Sequence, residues 1–274
     1  MTIPRASWSS RPCAEPAAAL QIVRGGGAEW GLRDQTTDMR IDPNRFVALL
    51  VTTVGSILRA PRGWRAARWS LAAATTASLA LAYAEKRPLQ ELLRGGGRLG
   101  FADWLARAAS AAGEGVIVTV LGVAMLGAGA ALGLRRLTDA AWVLGAAGLP
   151  CWLLVVVGQF VFAESRPIDG GAMHWFASGG HGVSGHASAG ALLLGPVRVL
   201  AAGAHRVVRA SAVILIIGWG LLVAWSRVWL DMHYVWNVGV GLLFGWATAS
   251  AAFAAWRHER TVPGRGGPGR GVGT

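Results

Sequence analysis

Three short stretches of this 274-residue chain hold the residue types that grip an anion and move a proton. The first runs from Gln159 to Arg166-Pro167, the second is Val183-Ser184-Gly185-His186, and the third runs from Ser226-Arg227 through His233 to Asn237. Guanidinium groups present planar forks that match phosphate oxygens. Free amides at a helix start, here around Ser184 and Gly185, add the positive end of the helix dipole. Imidazoles exchange protons near neutral pH or attack as nucleophiles. Two arginines, two histidines and a serine at a helix start therefore suit a phosphate site. Each type taken alone has a plainer use, since arginine at a membrane edge is ordinarily a headgroup anchor and histidine there is often merely interfacial.

The elements that must position these residues are apolar. The AVILMFWYC set makes up 53% of the chain before its 39 glycines are counted, and charged residues only 15%, against about 25% in soluble domains. Six runs approach the roughly 20 helical residues that cross a hydrocarbon core: Trp69 to Ala84, Gly115 to Leu134, Ala140 to Ala163, Ala187 to Ala204, Ala210 to Ser226 and Tyr234 to Trp256. The expected fold is all-α, a six-helix transmembrane bundle over 69–256 with its active site at the outer membrane face. Residues 1–68 read as a cytoplasmic or interfacial region and 257–274 as a flexible basic tail. The short run Phe46 to Leu58 reads as interfacial or re-entrant. Arg198, inside the fourth run, must snorkel or face the bundle interior. Small residues in the helices permit close approach in lipid, although a general alanine and glycine bias explains them equally well.

The formal net charge is +12, which by itself would suit a nucleic-acid partner. The arginines instead cluster at the ends of apolar runs, where they meet anionic headgroups. Arg59, Arg62, Arg65 and Arg68, Arg135 and Arg136, Arg206 and Arg209, and Arg257 and Arg260 all fall on one side. Positively charged short loops stay cytoplasmic, so a multi-pass inner-membrane protein with its site facing the periplasm or exterior is expected. Segment 85–114, on the opposite side, mixes Lys86, Arg87, Arg94, Arg98 and Arg107 with Glu85, Glu91, Asp103 and Glu114 and is the one blemish. Cys13 and Cys151 make no disulfide framework. The first 45 residues hold no apolar h-region, so no cleavable secretory signal is expected. His174 and His181 have no zinc-type spacing to His186. Trp175, Phe176, Trp225, Trp229 and Trp236 read as an aromatic belt.

In order and spacing the three stretches resemble the type 2 phosphatidic acid phosphatase superfamily, which also includes vanadium haloperoxidases and bacterial acid phosphatases. Its pattern is K-x6-R-P, then P-S-G-H, then S-R-x5-H-x3-D, and the resemblance covers roughly residues 69–256. It implies an integral-membrane, metal-independent phosphatase without cofactor, whose substrate is a lipid phosphate such as prenyl pyrophosphate, phosphatidate or phosphatidylglycerophosphate. It also implies His233 as the nucleophile that becomes a phosphohistidine, and His186 as the acid that protonates the leaving oxygen and then activates water. Arg166, Arg227, Gln159, Ser184 and the Gly185 amide would hold the phosphoryl oxygens. Asn237 would orient the His233 ring. Three positions depart from the pattern: Gln159 stands for lysine, Val183 for proline and Asn237 for aspartate. These departures keep open a non-catalytic relative that binds or moves phosphorylated lipid, and phosphoryl transfer to an acceptor other than water uses the same residues.

Overall fold

The computed structural model describes residues 76, 79–80, 82–94, 100–176 and 181–261. Residues 1–68, the run Phe46 to Leu58, most of Trp69 to Ala84 and the tail beyond 261 lie outside the described residues. The described chain is helical apart from one small hairpin. Its helices are α1 (Lys86–Arg94), α2 (Gly100–Ala112), α3 (Gly115–Ala131), α4 (Arg135–Val161), α5 (Gly185–Leu192), α6 (Leu194–Leu200), α7 (Arg206–Trp229) and α8 (Val235–Thr261). Between α4 and α5, β1 (Phe162–Glu164) pairs antiparallel with β2 (Met173–Trp175), with Ala163 opposite His174.

Three of these helices, α4, α7 and α8, are long and apolar enough to cross a membrane, and α2 with α3 makes a fourth candidate bent by 53°. The six runs read from the sequence are therefore only partly reproduced among the described residues. The run Ala187 to Ala204 is the clearest difference, because it divides into α5 and α6 at Leu193. Pro196 accounts for the break: its ring clashes with the carbonyl four residues earlier, that of Leu192, where α5 ends. The run Gly115 to Leu134 stops at Ala131 and turns through Gly133 at φ +67°.

Helix α5 is the hub of the bundle and touches α3, α4, α7 and α8. Its sequence GHASAGAL carries no apolar stripe, and residues Ala187 to Leu192 are all buried, as expected for a helix covered on every side. Small side chains make this possible. A Cβ at Gly241 would overlap the Ser184 carbonyl, and one at Gly245 would overlap the Ser188 carbonyl and the Ala191 side chain. Backbone therefore rides on backbone where α8 crosses α5. A second layer packs α4 against α3 and α8 through Val143, Ala147, Cys151, Ala252 and Ala255. Large apolar side chains such as Val120, Trp152, Val157, Ile214 and Leu215 point outward, which suits lipid contact.

The hairpin and the turn between α7 and α8 lie at one end of the long helices. At the other end, buried Asp139 pairs with Arg260 and Gly203 lies against the Arg136 guanidinium. The arginine-rich loops and the candidate site thus occupy opposite ends of the bundle.

Gly245→Ala is expected to lower stability by about 1–3 kcal/mol, the usual cost of overpacking, because backbone stands in the way of the new methyl group. Gly127→Ala in α3, where nothing lies within 4 Å of the new Cβ, is expected to be neutral or slightly stabilising. Thermal melts of the two variants in detergent check the contrast.

Candidate active site

Arg166 follows β1 and caps a 3-10 turn over Pro167–Asp169. Its carbonyl accepts from the amides of Asp169 at 2.9 Å and Gly171 at 3.2 Å. Gly170 and Gly171 both have φ in the left-handed region, and a Cβ on Gly171 would overlap the Tyr234 hydroxyl. The Arg166 turn thus leans on the residue next to His233. Beneath it, buried Glu164 pairs with Lys86 and accepts from Trp236 Nε1 at 3.0 Å. Lys86 lies 4.9 Å and 5.2 Å from the ring centres of Tyr83 and Tyr234. Trp236 was expected in the aromatic belt; instead it is buried, its indole N–H satisfied by Glu164 and its ring edge-on to Tyr83 and Phe162.

The loop before α5 is held from three directions. His181 N donates to the Glu164 carbonyl at 3.0 Å, Gln159 Nε2 donates to the Val183 carbonyl at 3.0 Å, and Ser184 N donates to the Asn237 carbonyl at 3.1 Å. Asn237 Nδ2 adds a long 3.5 Å bond to the His181 carbonyl. Val183 is fully buried against Gly158. Ser184 caps α5 by accepting from Ala187 N at 3.4 Å, so its side chain serves the helix start. Gly185 and His186 form the first turn of α5.

The third stretch is a tight turn after α7. The amides of Met232 and His233 both donate to the Arg227 carbonyl, at 3.0 and 3.2 Å, which fixes the histidine backbone to that of the arginine. Asp231, at φ +56°, accepts from Gln90 Nε2 at 2.7 Å, and the same amide reaches the Val228 carbonyl at 2.9 Å. Arg227 Nη1 donates to Ser110 Oγ at 2.6 Å. His233 lies in the turn rather than in α8. Its Nδ1 is buried without a hydrogen-bond partner, as is Asn237 Oδ1. Those two atoms are the ends of the bond expected between the residues, and the structure does not join them.

The electrostatics tie the stretches together. His233 is pushed down from the usual 6.5 to about 3, first by burial and then by the charges of Arg227, His186, His181 and Arg166. His181 is lowered by burial and by Arg166, partly offset by Asp169. His186 lies within reach of the charges of Arg227, Glu114 and Arg166. The Nε atoms of Arg166 and Arg227 are buried without partners. His186 also lines a cavity of about 880 Å³ between α3, α4 and α5, whose walls include Val118, Val123, Leu144, Trp152, Val155 and Leu192, with Glu114 beside it.

The structure thus gathers Arg166, Arg227, His186 and His233, and turns the side-chain amides of Gln159 and Asn237 onto the loop that precedes His186. The sequence reading missed Ser110, Gln90, the Lys86–Glu164 pair and the closeness of His181. Only Lys86 stood out, as part of a charge mixture on the wrong side of the orientation rule.

Residues 159–261 match the model of the PAP2 superfamily. The similarity to that superfamily is carried by this C-terminal stretch. No curated protein and no solved structure matches it significantly. The matched region opens on Gln159 and takes in all three stretches, while α1, α2 and α3, with Ser110 and Gln90, lie ahead of it. The match suggests phosphatase or related lipid-phosphate activity at the level of reaction class.

A histidine whose folded pKa lies below its unfolded value adds stability above the unfolded pKa and loses it as pH falls towards the folded one. The fold is accordingly expected to weaken between about pH 6.5 and pH 3, with a slope of up to about 1.4 kcal/mol per pH unit from His233 alone. Melting midpoints from pH 8 to pH 5 should fall less steeply in His233→Asn; an unchanged slope would assign the effect to other groups.

Proposed function

We propose that the chain is an integral-membrane, metal-independent phosphatase that hydrolyses a lipid phosphate or prenyl pyrophosphate through a phosphohistidine. The observation that carries this reading is the set of buried nitrogens without a partner among the described residues, Arg166 Nε, Arg227 Nε and His233 Nδ1, on groups within electrostatic reach of His186, which lines an apolar cavity. A buried polar group without a partner costs about 1–3 kcal/mol, and an oxyanion satisfies both arginine donors at once. The cavity takes the hydrocarbon part of the substrate.

In this scheme neutral His233 attacks phosphorus in line, and the bond to the leaving oxygen breaks as His186 protonates it. His186 then takes a proton from water, whose oxygen attacks the phosphohistidine and releases phosphate and free His233. Arg166 and Arg227 hold the oxygens on which charge develops, together with the amides at the α5 start. Ser184 and Gln159 support that start through the contacts described above. A ring N–H donated to Asn237 Oδ1 would leave the opposite nitrogen of His233 with the lone pair for attack.

The proposed setting is a bundle of six crossing segments in an inner membrane, with α5 and α6 making one crossing in two pieces. Both pack against α4 and α8. The site faces outward, opposite the arginine-rich loops.

A second reading, a non-catalytic protein that binds or moves phosphorylated lipid, is favoured by the missing contact between His233 and Asn237. Phosphate release from a panel of lipid phosphates, measured with purified protein and chelator, separates the two. The enzyme reading expects release that survives chelator and disappears in His233→Ala. A carboxylate partner raises the basicity of the ring, so Asn237→Asp is expected to raise turnover or move its pH optimum upward, and Asn237→Ala to lower turnover. Saturable binding without release, across the whole panel, would give the second reading the lead.

A further inference from the structure

Segment 85–114 broke the charge pattern of the loops, and its side chains are engaged at the site. Gln90 of α1 holds the Val228 carbonyl and the Asp231 carboxylate. Asp103 of α2 accepts from Trp229 Nε1 at 2.7 Å, and Ser110, two turns further along α2, accepts from Arg227 Nη1 at 2.6 Å. Residues seven apart share a helix face, so Asp103 and Ser110 meet consecutive parts of the last turn of α7. Ala106, Ala109 and Ser110 are buried, and a Cβ on Gly113 would overlap Val223 of α7. The helix is therefore seated closely against the segment that carries Arg227 and leads to His233.

We infer that Ser110 is a positioning residue for Arg227, and that α2 supplies the phosphate site with an orienting contact from outside the region matching the superfamily. This inference rests on the reading of the site as an oxyanion site. The chemistry of the contact is informative. Arg227 is buried, and a carboxylate partner would neutralise the charge on which anion binding depends. A hydroxyl accepts from one arm of the guanidinium and leaves the full positive charge to the ligand. It also fixes the rotation of the planar fork, which decides whether the remaining donors point at a phosphoryl oxygen. With Nη1 on Ser110, Nε remains unpartnered.

The test measures inorganic phosphate binding by calorimetry on the full chain in detergent, alongside kcat and KM for a lipid phosphate and the melting temperature. Ser110→Ala is expected to weaken phosphate binding about ten-fold, the lower end of what a hydrogen bond to a charged group contributes. Ser110→Thr keeps the hydroxyl and is expected to stay within about two-fold of the unsubstituted protein. Ser110→Asp is expected to abolish phosphate binding by neutralising Arg227. Should Ser110→Ala fail to fold, Ser110→Cys, of similar size and a weak acceptor, is expected to show the same weakening. Unchanged phosphate affinity in Ser110→Ala or Ser110→Cys, whatever the melting temperature, overturns the positioning role while leaving the site reading intact. Absence of phosphate binding by the unsubstituted protein defeats the site reading, and the role of Ser110 with it.

Discussion

Positive charge held largely out of water, with no carboxylate paired to Arg166 or Arg227 among the described residues, is the constraint around which the site end of this protein is arranged. Arg166, Arg227 and the imidazoles of His181, His186 and His233 lie within electrostatic reach of one another. The nearest buried acids are occupied, Glu164 by Lys86 and Trp236, and Asp231 by Gln90. Like charges confined in a low dielectric repel strongly, and the cluster relieves part of that repulsion by keeping His233 neutral. Holding the arginines in place falls to the backbone and to neutral side chains: Arg166 by the glycine-rich turn after β1, Arg227 by Ser110 and by the turn that wraps its carbonyl. The glycine and alanine surfaces of α5 and α8 serve the same end. They bring the loop bearing His186 up against the first turn of α8, which follows His233 directly.

The three positions read from the sequence as departures from the superfamily pattern, Gln159, Val183 and Asn237, meet at the loop 181–184. Gln159 bonds to the carbonyl of Val183, the second departing position, and Asn237, the third, meets the same loop through its own carbonyl and through its side-chain amide. A lysine at 159 would bring a further cation to this end of the bundle. An amide brings a donor without the charge, and the Val183 carbonyl uses it. Valine also fills the space over Gly158, and its burial holds the loop by packing where proline would hold it by a fixed dihedral angle. Asparagine at 237 has an acceptor and a donor, and its donor goes to the His181 carbonyl, a bond that aspartate could not make. The three positions therefore form a connected set whose common effect is neutral support of the loop that precedes His186.

Much of this was legible in the sequence because it is local. The spacing of Arg166, His186, Arg227 and His233 placed them at helix ends, and the long apolar runs became α4, α7 and α8. The division of the fourth run was also legible in principle, since Pro196 stood in plain view and its effect on the preceding turn is steric. Other features depend on pairing across the chain. Ser110 and Arg227 are 117 positions apart and Gln90 and Asp231 are 141 apart; neither serine nor glutamine on a helix carries a signal of a distant partner. Trp236 was misread for the same reason, since a tryptophan near a membrane edge looks interfacial until Glu164 supplies a buried acceptor.

In the proposed reaction, the division of labour between the two histidines follows from where each one lies. A nucleophile must be neutral at the moment of attack, and deep burial among cations secures this for His233 by disfavouring a further positive charge. An acid that becomes a base must exchange protons with the leaving group and then with water, so it needs access to both. His186 lies on the wall of the apolar cavity, which gives it that access. In the proposed reaction the leaving oxygen belongs to the hydrocarbon part of the substrate, and the cavity that would hold that part is the one on which His186 opens. Exchanging the two roles would place the proton donor away from the leaving group. The orientation of the lipid and the assignment of the histidines are thus one choice.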